Sequence, residues 1–241
     1  MTDFVIKFSP PKLLVSVRSL GEALTALQGG CDWLDVKEPS AGSLGAASLS
    51  TLQEISTISG SFAGWSAALG ELTELSDYQW TDAFQTLPNL NMVKIGLSHC
   101  GPLWRQRLAQ FRRNHPQISL AMVYYADRLN AQSPSWDETI QAAQELGSPI
   151  VLIDTFLKNG QTLLDFISLE ELMILRQQLS NLNLGFALAG SLQSEQIPRI
   201  AQAAHPDLVA VRGAACKSGR NSELCVSRVA LLKRILNQAD D

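Results

Sequence analysis

Charged side chains stand at or just after the ends of four short apolar runs in this chain. They are Asp35 and Lys37 in the first run, Lys94 in the second, Asp154 and Lys158 in and after the third, and Arg212 in the fourth. A lysine partly removed from water and close to other cations has a lowered pKa, so its neutral amine can form a Schiff base with a carbonyl. A second lysine or an aspartate can then move protons at the adjacent carbon. The set therefore predicts lysine-based carbonyl chemistry, although each lysine alone could be a solvated rim residue or half of an ion pair.

The spacing of Asp35 and Lys37 predicts that both side chains point the same way. Residues two apart in an extended strand share a face, so both can point inward while Val36 packs outward. A buried ammonium is costly unless it is paired, and Asp35 is the expected partner of Lys37. Lys94 is followed by the small Gly96, which leaves space beside it.

Two glycine-containing turns are candidates for binding an anion such as phosphate. They contain Gly190 and Ser191 after one apolar run, and Gly213 and Ala214 after another. Backbone amides in such loops often hold phosphate in α/β barrels, and the forked donors of Arg212 would suit the same group. Two alternatives stay open, a plain tight turn at each glycine and an ion pair of Arg212 with Asp35 or Asp154.

The loop at 38–46, which is rich in small residues, is a candidate for a second anion site. Ser43 and the amides near Gly42 and Gly45 would bind the anion there. The loop is not a P-loop, and the chain contains no nucleophile elbow. A flexible turn into the next helix is an equal alternative.

Eight short apolar runs predict the strands that position these residues. They cover residues 13–17, 33–37, 63–69, 92–97, 118–124, 150–154, 184–189 and 208–212. Most of them are continuously apolar, which is typical of parallel strands buried on both faces. Helix patterns lie between them. Ser19 with Glu22, Ser135 with Glu138 and Ser168 with Glu171 fit capping boxes, and further helices are predicted at 48–58, 77–86, 102–114, 195–203 and 222–238.

This alternation of strands and helices predicts an α/β fold, a single (β/α)8 TIM barrel. The barrel is expected to be one domain over residues 1–241, with 1–11 as an N-terminal extension. A doubly wound open sheet is the alternative, but it normally carries a G-x-G-x-x-G loop after its first strand, which this chain lacks. Because the active sites of such barrels lie at the carboxyl ends of the strands, we expect the charged residues to meet at one mouth.

The composition argues against several other classes of protein. The net charge of −4 does not favour nucleic-acid binding, and no run approaches the roughly 20 apolar residues that span a bilayer. The four cysteines form no C-x-x-C pair and no zinc-ligand spacing with histidine. Neighbouring His99 and Cys100 would point in different directions, so reduced thiols are a better interpretation than a metal or nucleophile pair. Residues 1–8 lack the apolar run of a secretory signal, so we expect a cytoplasmic protein, with homo-oligomer formation left open.

The segment from Asp35 to Ala46, DVKEPSAGSLGA, closely resembles the signature of the (5-formylfuran-3-yl)methyl phosphate synthase family. Other segments resemble the same family in the same order, namely VKIGL at 93–97, IDTFLK at 153–158 with Asp165 and Phe166 behind it, ALAGSL at 187–192, and VRGA at 211–214. The first segment is very specific, whereas the last two are common in phosphate-binding barrels. The resemblance covers nearly the whole chain and leaves out residues 1–11.

This resemblance implies a lyase that joins two molecules of glyceraldehyde 3-phosphate into a furan aldehyde phosphate. The product would serve the methanofuran-type carriers of one-carbon metabolism. Lys37 then matches the Schiff-base lysine and Lys94 the proton acceptor, with Asp35, Asp154 and Lys158 as supporting charged residues. An iminium acts as an electron sink, so no metal or organic cofactor is expected, and the expected partner is a small triose phosphate.

Three other functions stay open. An orotidine-phosphate-decarboxylase-like barrel also places Asp-x-Lys at a strand end, but its pattern continues with another aspartate, where this chain has residues 38–42, EPSAG. A class I aldolase-like barrel would use the same lysine without releasing inorganic phosphate. The third is a barrel that binds a phosphorylated metabolite without turning it over.

Overall fold

Eight parallel strands form a closed barrel in the order of the chain. The computed structural model describes residues 10–61, 64–75, 80 and 82–238. The strands are β1 Lys12–Val17, β2 Trp33–Val36, β3 Trp65–Glu71, β4 Leu90–Gly96, β5 Ser119–Tyr125, β6 Ile150–Asp154, β7 Gly185–Leu188 and β8 Leu208–Val211. Each strand pairs with the next, and β8 pairs with β1. The predicted (β/α)8 barrel is confirmed, and the open-sheet alternative is wrong.

Helices and short 3₁₀ turns connect the strands. The helices are α1 Leu20–Gln28, α2 Leu49–Ser56, α3 Trp104–Asn114, α4 Arg128–Ala131, α5 Trp136–Glu145, α6 Leu169–Asn181, α7 Ile197–Ala204 and α8 Val226–Gln238. The 3₁₀ turns are Pro39–Ala41, Ser59–Ser61, Ala83–Thr86, Leu163–Asp165 and Gly213–Ala215. Of the helix predicted at 77–86, residues 77–79 and 81 lie outside the described residues, and its last part is a 3₁₀ turn. Most of the predicted extension at 1–11, and residue 63 of the third predicted strand, also lie outside them.

Alternate residues of each strand belong to two different cores. On β6, Val151 and Ile153 join the large core between the strands and the helices, whereas Ile150 and Leu152 join a smaller core inside the barrel. This alternation places Asp154 inside the barrel, above Leu152. The same alternation places the side chains of Asp35 on β2 and Lys94 on β4 inside the barrel. Charged groups thus replace apolar ones where the interior core meets the mouth.

The helix starts follow the predicted capping chemistry with one exception. Ser135 and Ser168 each form a reciprocal capping box with the glutamate three residues later. Ser19 accepts a hydrogen bond from the amide of Glu22, but the Glu22 carboxylate accepts from the amide of Arg18 and from Arg212 instead. A tertiary ion pair has therefore replaced the return half of this box. Of the helices in the described ranges, none combines the length and the apolar character needed to cross a bilayer.

Candidate active site

A cavity of about 420 Å³ lies at the carboxyl ends of the strands. Its lining includes the five catalytic candidates, Asp35, Lys37, Lys94, Asp154 and Lys158. Lys37 and Lys94 therefore face one shared space. Six lysine and arginine side chains line this cavity against three carboxylates, so it suits an anionic ligand.

Asp35 forms an ion pair with Lys94, and the predicted pair of Asp35 with Lys37 is wrong. Lys94 on β4 approaches Oδ1 of Asp35 on β2 across β3, the strand between them. The hydroxyls of Ser16 and Ser66 donate to the same carboxylate, at 3.1 and 2.8 Å. These serines are the register partners of Asp35 on β1 and β3, so their side chains point inward with it. Lys37 directly follows the strand that carries Asp35, and its Nζ donates to Ser43 instead of to this carboxylate. Lys94 reaches the carboxylate from another strand.

Lys37 is buried, with no carboxylate at salt-bridge distance among the described residues. Its Nζ donates to the carbonyl oxygen of Ser43 at 3.1 Å. Burial lowers the pKa of Lys37 from 10.5 to about 8, even though Asp154 and Asp35 attract the charged form, and two neighbouring lysines lower it further. The amine of Lys37 is therefore neutral far more often than that of an ordinary lysine.

Asp154 connects the end of β6 to the loop that follows β2. Its Oδ1 accepts from Lys158 Nζ and from the amide of Thr155, both at 2.8 Å, and its Oδ2 lies 3.1 Å from the hydroxyl of Ser43. Lys158 also donates to the Thr155 hydroxyl at 3.0 Å. Burial raises the pKa of Asp154, but attraction by Lys158 and Lys37 outweighs it, so the pKa is below its ordinary value. A charged Asp154 thus attracts the protonated forms of Lys158 and Lys37.

Arg212 lines the cavity with all five of its N–H donors in use. Their acceptors are both carboxylate oxygens of Glu22 and the carbonyl oxygens of Ser16, Arg220 and Ser222. The alternative of an ion pair with Asp35 or Asp154 is therefore wrong. Because β8 pairs with β1 and α1 follows β1, Glu22 lies next to Arg212 and forms the ion pair with it. Phosphate binding by Arg212 stays a prediction.

The residues predicted to bind anions fall in two places. Gly190, Ser191, Gly213 and Ala214 all line the cavity, beside the ends of β7 and β8. The backbone at Gly190 and Ser191 has φ angles of 96° and 52°, and a Cβ at Gly190 would come within 3.1 Å of the Thr155 side chain. Ser43 is instead buried behind the lining, with its hydroxyl 2.9 Å from the carbonyl oxygen of Thr155. Anion binding by all five residues stays a prediction.

His99 and Cys100 lie outside the lining of this cavity. Burial raises the pKa of Cys100 to about 11, which opposes a role as a nucleophile. Within the described ranges, no three or more His, Cys, Asp or Glu side chains are grouped so that they could hold a metal ion.

Sequence reasoning missed five residues that shape the site: Ser16, Glu22, Ser66, Thr155 and Arg220. Ser16 and Ser66 carried a usable signal, because each is a polar residue inside an otherwise apolar strand. Arg220 comes from the loop after β8 and had no such signal.

A closed parallel barrel with lysines and carboxylates gathered at the carboxyl ends of its strands defines a (β/α)8-barrel enzyme. The model of the family described as 4-HFC-P synthase matches residues 13–233. The chain belongs to this family, as the resemblance of the segment at 35–46 predicted.

Curated relatives agree with this assignment. A (5-formylfuran-3-yl)methyl phosphate synthase of Methanocaldococcus jannaschii is 31% identical over 216 residues, covering 86% of this chain and 91% of that protein. The synthase of the same name from Methanobrevibacter smithii is 30% identical over 236 residues, covering 92% and 98%.

Solved structures share the fold. Phosphoribosyl anthranilate isomerase from Thermotoga maritima superimposes with a TM-score of 0.67 at 14% identity, covering 95% of this chain and 99% of that one. Thiamine phosphate pyrophosphorylase from Pyrococcus furiosus gives 0.63 at 12% identity, covering 95% and 97%. At these identities the similarity concerns the barrel alone.

Proposed function

We propose that this enzyme condenses two molecules of glyceraldehyde 3-phosphate into (5-formylfuran-3-yl)methyl phosphate through a Schiff base on Lys37. The observation that carries the proposal is the state of Lys37, a buried amine with a pKa of about 8 that shares a cavity with the pair of Lys94 and Asp35. The names of the relatives supply the product.

The reaction begins when the neutral amine of Lys37 attacks a triose carbonyl. Loss of water gives an imine, which when protonated draws electrons from the neighbouring carbon. Lys94 is the contacting base: it passes the proton of the ion pair to Asp35, and its neutral amine then accepts the proton from that carbon. The carbon nucleophile that results adds to the second triose phosphate.

Ring closure and aromatisation complete the reaction. Two triose phosphates contain the atoms of the furan product, one phosphate and two waters, so no outside oxidant or reductant is needed. Hydrolysis of the imine returns Lys37 to its free form. Asp154 and Lys158 act on the charge of Lys37 in opposite directions, the first favouring and the second disfavouring its protonated form. No metal or organic cofactor takes part in the proposed steps.

We propose that the furan phosphate product is used in the synthesis of methanofuran-type carriers of one-carbon units. We further propose that the enzyme works in the cytoplasm. All four cysteines are free thiols, and free thiols are usual in that reducing compartment.

The decisive experiment is reduction of the imine. The protein is incubated with glyceraldehyde 3-phosphate and borohydride, its intact mass is measured, and the adduct is mapped by peptide analysis. We expect one triose adduct on Lys37. Lys37→Ala should lose both the adduct and the furan product, and an adduct that maps to another lysine would overturn the assignment of roles.

The same assay separates the alternatives. A decarboxylase of the orotidine-phosphate type would not be trapped by borohydride, since it forms no imine. A class I aldolase would be trapped but would release no inorganic phosphate. A binding protein without activity would bind the triose phosphate and form neither adduct nor product.

A further inference from the structure

The cations that line the cavity differ in whether they already have an acidic partner. Lys94 is paired with Asp35 and Lys158 with Asp154. Arg212 is paired with Glu22 behind the lining. Lys37 is the proposed nucleophile. This leaves the side chains of Arg220 and Arg228 without a carboxylate at salt-bridge distance in the part of the chain that the structure describes.

Arg220 is a half-buried side chain that reaches from the loop after β8 to the loop after β2. Its Nη2 donates to the carbonyl oxygens of Pro39 and Gly42, at 3.0 and 2.8 Å. Both hydrogens of Nη2 are therefore used, whereas the N–H groups of Nε and Nη1 have no acceptor within the described ranges. The guanidinium is thus fixed in place and keeps three donors for a ligand in the cavity.

The backbone of Arg220 lies about 4 Å from the Gly213 turn, but its guanidinium reaches away from both glycine turns. Gly190, Ser191, Gly213 and Ala214 lie beside the ends of β7 and β8. The guanidinium of Arg220 lies instead at the loop after β2, where it contacts the carbonyl oxygens of Pro39 and Gly42. An anion on this guanidinium would therefore lie at the loop after β2, whereas an anion on the amides of Gly190 and Ser191 would lie at the end of β7.

We propose that Arg220 anchors a second phosphate group, so that the cavity holds two phosphorylated trioses at once. This inference rests on the proposed function, in which two triose phosphates must meet. One phosphate binds the amides of the two glycine turns, and the other binds Arg220, with Arg228 at the exposed side. The charge of the lining agrees, since its six lysine and arginine side chains outnumber its three carboxylates and can balance added phosphate charge.

Arg220 also links this anion to the nucleophile. The residue after Gly42 is Ser43, whose carbonyl oxygen accepts from Lys37. A phosphate bound to Arg220 therefore lies against the same loop that orients the Lys37 amine. This arrangement would place the second triose beside the imine formed by the first.

The test compares Arg220→Gln with Lys217→Gln. Lys217 is in the same loop, and its substitution removes the same charge. It is exposed, is paired with Glu223 and does not line the cavity. For Arg220→Gln we expect KM for glyceraldehyde 3-phosphate and the inhibition constant for inorganic phosphate to rise about tenfold to a hundredfold, the effect of a lost charge-assisted hydrogen bond. Lys217→Gln should keep the wild-type values.

Borohydride trapping separates the two proposals. If the wild type forms the Lys37 adduct and the furan product, but Arg220→Gln matches Lys217→Gln in both constants, the second anchor is wrong and the function stands. If the wild type forms neither, the function itself fails. Should Arg220→Gln not fold, Arg220→Met serves in its place. It also removes the charge and the donors while keeping a long unbranched side chain, and unchanged constants in that variant would also overturn the anchor.

Discussion

Lys94 on β4 forms an ion pair with Asp35 on β2, across the strand between them. The two buried lysines therefore differ in their partners. Lys94 has a carboxylate of its own, whereas Lys37 has only a carbonyl oxygen as its hydrogen-bond acceptor among the described residues. We propose that this difference makes Lys37, rather than Lys94, the nucleophile.

Asp35→Asn should separate imine formation from the later proton transfer. Without its carboxylate, Lys94 loses the partner that completes the proton-transfer pair, so we expect furan formation to fall by about 10²- to 10⁴-fold. The Lys37 adduct should still be trapped by borohydride. Ser66→Ala is the matched control, because it removes one donor to the same oxygen and leaves the charge, and it should cost less than about tenfold. Normal turnover in Asp35→Asn would contradict the role of the pair.

The rate of borohydride trapping should rise with pH and level off above about 8. Only the neutral amine attacks, and each pH unit below the pKa of Lys37 leaves about ten times less of it. At pH 7 about one Lys37 in ten is neutral. The measurement is the initial rate of adduct formation between pH 6 and 10. A rate that still rose tenfold per unit up to pH 10 would show an ordinary lysine.

Two substitutions should move this midpoint in opposite directions. Asp154 favours the charged form of Lys37 and Lys158 disfavours it. Asp154→Asn should therefore shift the midpoint of trapping to lower pH, and Lys158→Met should shift it to higher pH. The same pH series measures both variants beside the wild type. Shifts of equal sign would mean that general disturbance of the site, rather than charge, sets the pKa.

Lys37→Met should make the protein more stable at neutral pH while abolishing its activity. The pKa of Lys37 is lower in the folded than in the unfolded state, so burial of its ammonium costs stability below about pH 8, and the cost disappears as pH rises toward 10.5. We expect a gain of up to roughly 3 kcal/mol at pH 7 from chemical unfolding.

That gain has a distinct pH signature. It should shrink between pH 8 and 10.5, because the amine of the folded wild type is already neutral there and the amine of the unfolded chain loses its proton as the pH rises. Lys217→Gln, on the exposed loop, should stay within about 0.5 kcal/mol of the wild type throughout. A gain that did not depend on pH would point to packing by the new methionine instead.

Glu22→Gln should destabilise the barrel more than a lost helix cap does. Removing one partner of a buried ion pair costs about 3–5 kcal/mol, and here it leaves the Arg212 guanidinium without its carboxylate. Ser19→Ala, which removes the local cap of α1, should cost about 1 kcal/mol. Urea unfolding of both variants gives the comparison. Equal losses would mean that Glu22 acts mainly as a capping residue.

The barrel and the inward-facing candidate residues Asp35, Lys94 and Asp154 were predictable because they follow the period-two alternation of the strands. An inward-facing charge such as Lys94 or Asp154 interrupts an apolar strand, and the interruption is visible in one sequence. The partner of Asp35 was not predictable in the same way. Strand spacing showed that Lys37 shares its face, but the carboxylate is reached from β4, and that depends on how the barrel closes.

Contacts between residues far apart in the chain mark the limit of prediction. Glu22 fits a local capping box, and nothing in its neighbours indicates that Arg212, far away in the chain, takes its carboxylate. Arg220 lies in a loop without periodicity, so its reach to Pro39 and Gly42 follows only from the assembled fold. Tertiary contacts decide both cases, and local patterns cannot encode them.

The bonds from Arg212 to Ser16 and Glu22 fasten the last strand to the first strand and the helix after it. Asp35, Lys37 and Lys94 lie in the half of the barrel that contains the first four strands, and Asp154 and Lys158 in the half that contains the last four. Neither half therefore carries the complete set of candidate catalytic residues. If the chain were cut between β4 and β5, turnover would return only when the two pieces reassociated. The rate of turnover would then measure the fraction of closed barrels.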